Sequence, residues 1–103
     1  MSVIVTAVFQ PTEGRKDELV AALRGAMPAV HGEPGCRKYA IHDASDGTVT
    51  MIEKWDSADA LGVHSRGEAI GALQAAIVGL VAAPPVVTTM TPLPAGTEEQ
   101  GEL

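Results

Sequence analysis

Few side chains in this sequence are suited to chemistry, and their scarcity makes them stand out. The chain of 103 residues is 46% hydrophobic but only 3% aromatic, with single copies of Phe9, Tyr39 and Trp55, three histidines and one cysteine. Its apolar filling must come from Val, Leu, Ile, Ala and Met. His64 could act as a base, since a neutral imidazole can take a proton near neutral pH. A capping or surface histidine is the plainer role. Tyr39 can donate a hydrogen bond to a developing anion, or serve as a buried structural ring. Trp55 offers a flat wall for a planar ligand, with ring stacking adding about 0.5–1.5 kcal/mol beyond burial, and filling the core is compatible with that. Phe9 and Leu61 are candidate walls beside it. Glu53 falls on the same strand face as Trp55, and a carboxyl there must be paired or hydrogen-bonded. An ion pair or a subunit contact is the first expectation for it.

Other chemistries lack their motifs. There is no Gly-x-Gly-x-x-Gly, Walker loop, Gly-x-Ser-x-Gly or Cys-x-x-Cys. His31, His42 and His64 fall on three different elements without ligand-like spacing, so neither a metal nor any other cofactor is expected. Cys36, the only cysteine, permits no intrachain disulfide and reads as a buried, inert thiol. Seven basic residues against thirteen acidic ones give a net charge of −6, which argues against a nucleic-acid partner. Glu98, Glu99 and Glu102 place part of that charge in a solvated tail. The longest apolar stretch, around Leu73 to Val87, is broken by Gln74, Gly79 and Pro84-Pro85, so no membrane partner is expected. The chain opens on Ser2-Val3-Ile4-Val5 without a basic leader, and the cytoplasm is the default location.

The elements that must position these residues follow from periodicity. Ser2–Gln10 is rich in β-branched residues and apolar on both faces, as in a strand covered on two sides. Leu19, Leu23, Ala26, Met27 and Val30 form one stripe of a helix from about Glu13 to Val30, with Pro28 loosening its last turn. Cys36–Asp43 and Thr48–Trp55 flank Asp46-Gly47, a strong hairpin signal. In the second of these strands Val49, Met51, Glu53 and Trp55 share a face, whereas Tyr39 and His42 point to opposite faces of the first. Gly35 and Gly47 read as turn glycines with positive φ, and Met51 and Met90 as core. Ser57 caps a short helix through about His64. Ser65-Arg66-Gly67-Glu68 has capping-box spacing and should start another, with Ile70, Leu73, Ile77 and Leu80 as its stripe and Pro84-Pro85 as its end. A fourth strand covers Val86–Thr91. The expected fold is one α+β domain over residues 1–103, with a body of about residues 3–92 and a polar tail of 93–103. Its βαββαβ order is the ferredoxin-like split βαβ with an antiparallel sheet. One sheet face takes the helices. The other is apolar and uncovered, which predicts a homodimer through that face.

Four motifs in order carry a family resemblance: Gly14-Arg15-x-x-Glu18-Leu19, Glu33-Pro34-Gly35-Cys36-x-x-Tyr39, Glu53-x-Trp55-x-Ser57-x-x-Ala60-Leu61, and then His64. From about Val3 to Pro92 the chain resembles the antibiotic-biosynthesis-monooxygenase family of dimeric α+β-barrel proteins. The resemblance implies a cofactor-independent monooxygenase that oxidises a small phenolic or quinol-type substrate with molecular oxygen. Under it, His64 and Tyr39 are the catalytic candidates, and Trp55, Phe9, Leu61 and Glu53 the substrate-binding ones. The alternative is a non-catalytic small-molecule binder or an isomerase of the same superfamily. The scattered Arg15, Lys16, Arg24, Arg37, Lys38, Lys54 and Arg66 mildly disfavour a phosphorylated substrate. In the heme-degrading branch of the family an Asn, a Trp and a ligating His stand where this chain has Ala7, His64 and Gln74, so heme is not expected.

Overall fold

In a computed structural model describing residues 1–103, the elements run β1 (Val3–Phe9), α1 (Lys16–His31), β2 (Cys36–Asp43), β3 (Val49–Trp55), α2 (Ala58–Ser65), α3 (Glu68–Ala76), β4 (Val86–Met90) and a short α4 (Glu98–Gly101). The sheet is antiparallel throughout, in the order β2-β3-β1-β4. This is the expected split βαβ arrangement. The hairpin forms at Asp46-Gly47. Gly47 takes φ +90°, and the Asp46 carboxylate accepts from both the backbone N–H and the hydroxyl of Thr48.

Strand alternation sets the two faces of the sheet. Val5, Ala7 and Phe9 of β1 and Val49, Met51, Glu53 and Trp55 of β3 all turn into the helix-covered side and are buried. Leu19, Leu23 and Val30 of α1 pack over them with no exposed surface. On the opposite side Thr6 sits between Ile52 and Thr88, and Val8 between Thr50 and Val86. On that second side Ile4 is buried, while Thr6, Val8, Ile52, Val86 and Met90 keep exposed surface.

Three boundaries differ from the sequence expectation, each for a local reason. Helix α1 starts at Lys16, two residues after Gly14, whose φ of +77° holds the preceding turn. It continues through Pro28 to His31, where the N–H groups of Gly32 and Glu33 bond back to the Pro28 and Val30 carbonyls. Ser65 caps nothing. Its hydroxyl donates to the Leu61 carbonyl in the last turn of α2, and Gly67 opens α3 without a side-chain cap. Helix α3 stops at Ala76 well before the prolines, because Gly79 turns left-handed at φ +80°. Ile77 and Leu80 still reach the core from that turn. Ser57 does cap α2, accepting from Ala60 N–H. Met90 is not core but half-exposed on the uncovered face.

Candidate functional site

A cavity of about 510 Å³ lies between the covered face of the sheet and helices α2 and α3, within the range of small-ligand sites. Phe9, Leu61, Leu73 and Ile77 give it apolar walls, while Tyr39, Glu53 and His64 gather as its polar pole. No arginine or lysine lines it.

His64, next to last in α2, is only 4% exposed. Its Nδ1 donates to Glu33 Oε1 at 2.6 Å. A carboxylate oxygen accepts, so Nδ1 carries a proton, and Nε2 is the ring nitrogen with no partner in the chain. The imidazole also stacks on the Trp55 indole, with centroids 4.5 Å apart and planes 30° apart. Trp55 Nε1 in turn donates to Glu53 Oε1 at 2.9 Å. Tyr39 closes the group edge-on, its ring 5.6 Å from His64 and 6.4 Å from Trp55. Two strands, one helix and one loop thus converge on a single cluster.

The electrostatics separate the members. Burial raises the Glu53 carboxyl above its ordinary pKa, opposed by the Trp55 hydrogen bond and by His64. Burial is the larger of these effects, so the protonated form gains relative to a carboxyl in water. Burial likewise raises the Tyr39 phenol, reinforced by the Glu53 and Glu33 carboxyls and by Cys36. Tyr39 is therefore suited to donate a hydrogen bond and unsuited to act as a base.

Five of the six residues singled out in the sequence line the cavity together: Tyr39, His64, Phe9, Leu61 and Glu53. Trp55 does not. It has no exposed surface and lies behind His64, so it backs the wall and fixes the imidazole plane rather than meeting a ligand. Glu53 forms no ion pair; its partner is the indole N–H. Cys36 is half-buried rather than sealed, its thiol pushed up mainly by burial. His42 is exposed and away from the cavity, near the Thr50 carbonyl.

Glu33 is the functional residue that sequence reasoning left without a role. It stands in the loop after α1, 31 residues from His64. The only signal was its place in the Glu33-Pro34-Gly35 motif. That loop is held tightly: Asp56 N–H bonds the Gly35 carbonyl at 2.9 Å. Gly35 takes φ +81°, and a Cβ there would come within 2.6 Å of Ala60 Cβ on α2.

Fold and cavity together define a small ferredoxin-like protein with a polar cluster at one end of an apolar pocket. Residues 2–76 match the family described as antibiotic biosynthesis monooxygenase, and the chain belongs to that family. It is similar to "Putative monooxygenase Rv0793" of Mycobacterium tuberculosis, at 29% identity over 92 residues, covering 88% of this chain and 91% of that one. The solved structure of Rv0793 superposes with a TM-score of 0.84 at 28% identity, covering 94% of this chain and all of that one. Protein SO0527 of Shewanella oneidensis gives a TM-score of 0.78 at 28% identity, over 86% and 88% of the two chains. A conserved protein of Methanosarcina mazei Go1, at 16% identity and a TM-score of 0.80 over 87% and 91% of the chains, shares the fold.

Proposed function

We propose that this protein is a cofactor-independent monooxygenase acting on a small phenolic or quinol-type substrate. The observation that carries the reading is the state of His64. It is buried at the wall of an apolar cavity, with Nδ1 anchored by Glu33 and Nε2 free. A phenol seated there loses its proton to Nε2, and the phenolate is electron-rich enough to reduce oxygen directly. One oxygen atom ends on the ring and the other leaves as water, the four electrons coming from the substrate. The apolar walls exclude solvent, and Tyr39 donates to the oxyanion. Oxygen uptake screened across naphthols, anthrones and quinols tests this. Consumption that depends on both enzyme and phenol is expected; none across the panel overturns it.

The same reading includes a homodimer. The row of Thr6, Val8, Ile52, Val86 and Met90 on the uncovered face suits a second copy of the chain better than water. Light scattering should give twice the mass of one chain at micromolar concentration, and a stable monomer there would sink the dimer.

A further inference from the structure

The polar pole contains more than the proposed proton transfer uses. Glu53 is 6% exposed, and its Oε1 is occupied by the indole N–H of Trp55. Its Oε2 has no partner in the chain and is not sealed away as an unsatisfied buried atom, so it opens on the cavity that Glu53 lines. His64 Nε2 stands in the same position: free, in a residue 4% exposed, on the same cavity. One indole connects the two, since His64 stacks on the ring whose N–H holds Glu53. Both free atoms therefore belong to one wall. Two oxygens that lie close together along one edge of a flat ligand, as vicinal oxygens do, can reach one wall together; para oxygens point in opposite directions. A charged Glu53 would repel a phenolate at His64, and no arginine or lysine lines the cavity to offset it. As the neutral acid it donates.

We propose, on the reading that this cavity binds a phenol, that Glu53 Oε2 donates a hydrogen bond to a second oxygen adjacent to the hydroxyl that His64 deprotonates. The pocket then selects aromatic rings with two vicinal oxygens over simple phenols. Burial raises the Glu53 pKa and so works toward the protonated donor.

Anaerobic isothermal calorimetry with 1,2-dihydroxynaphthalene, 1,4-dihydroxynaphthalene and 1-naphthol tests the proposal. The 1,2-diol should bind on the order of tenfold more tightly than either competitor, since a lone phenol leaves the Glu53 donor desolvated and unpaired. Glu53→Leu should erase that preference. Glu53→Gln should keep it, because its amide oxygen can accept from Trp55 while its N–H donates to the ligand. This nearly isosteric variant decides the matter even if the leucine variant folds poorly. Equal binding of all three probes by the wild type overturns the second anchor and leaves the phenol pocket standing. So does much tighter diol binding by Glu53→Gln than by the wild type, because the carboxyl would then carry charge. No binding of any probe up to millimolar concentration overturns the phenol pocket and the anchor with it.

Discussion

β3 and β4 both face the cavity but are built in opposite ways. Along β3, Val49, Met51, Glu53 and Trp55 are all buried, and the last two are bonded to each other. Every residue of β4 is exposed, Val87 and Thr89 among them although they line the same cavity. β3 lies between two strands and under the helices, whereas β4 is an edge with one neighbour. The polar pole is thus placed where packing fixes side-chain orientation, and the flank opposite is left thinly covered. The proposed chemistry asks for precision at the atoms that would exchange protons and for access at the other end.

Substitutions can break that contrast. The largest effect is expected at His64. His64→Ala should lower turnover by about 10²–10⁴-fold, the usual contribution of a positioned proton transfer, with KM changed far less because the apolar walls remain. His42→Ala, away from the cavity, should leave turnover unaltered. Steady-state kinetics on one phenolic substrate compares the two. Glu33→Ala should cost about 10²-fold in kcat, the scale of a misplaced catalytic group, with little change in KM. A Glu33→Ala enzyme with wild-type kcat would show that His64 holds its orientation by stacking alone.

Stability should show the same asymmetry between strands. Trp55→Ala removes a fully buried ring and should destabilise the fold by about 3–5 kcal/mol. Val87→Ala on the exposed edge should cost less than about 0.5 kcal/mol. Denaturant titration of both variants measures the difference, and similar losses would mean that β4 is as well packed as β3.

The smallest effect is a slope with pH. Glu53 has a folded pKa raised above its unfolded value, so the native state binds the extra proton. Stability from this group is fully present below the ordinary carboxylate pKa of about 4.3 and falls as pH rises through the folded value. Tyr39 and Cys36 from β2, Trp55 from β3, His64 from α2 and Glu33 from the loop surround it. Glu53→Gln should therefore flatten part of the decline in unfolding free energy between acid and neutral pH. Identical slopes in the two proteins would mean that Glu53 titrates normally.

The element order was legible because it rests on local pattern, whereas the pocket candidates came from the family resemblance, and Trp55 among them does not line the cavity. Alternation put Glu53 and Trp55 on one face, Asp46-Gly47 marked the hairpin, and the motif order brought Tyr39, Leu61 and His64 together. What stayed hidden was contact between distant segments. Nothing local ties Glu33 to His64, and no periodicity shows that the imidazole, rather than a ligand, covers the Trp55 ring. The helix ends were misplaced for a related reason: Ser65 had a back-bond to Leu61 available, and Gly79 took a left-handed turn that the apolar stripe concealed.

The loop at Gly35 bears on how this sequence can change over time. Its carbonyl fixes Asp56 and its missing side chain lets Ala60 approach, so the spacing between Glu33 and helix α2 depends on one position that tolerates no substituent. The cavity walls can drift among apolar residues and admit new substrates, because no single wall atom positions His64. Gly35 cannot drift in that way. Variation among descendants of this sequence should accumulate around Ile70, Ile77 and Val87 and stop short of this loop, leaving the Glu33–His64 pair constant while the lining of the cavity diversifies.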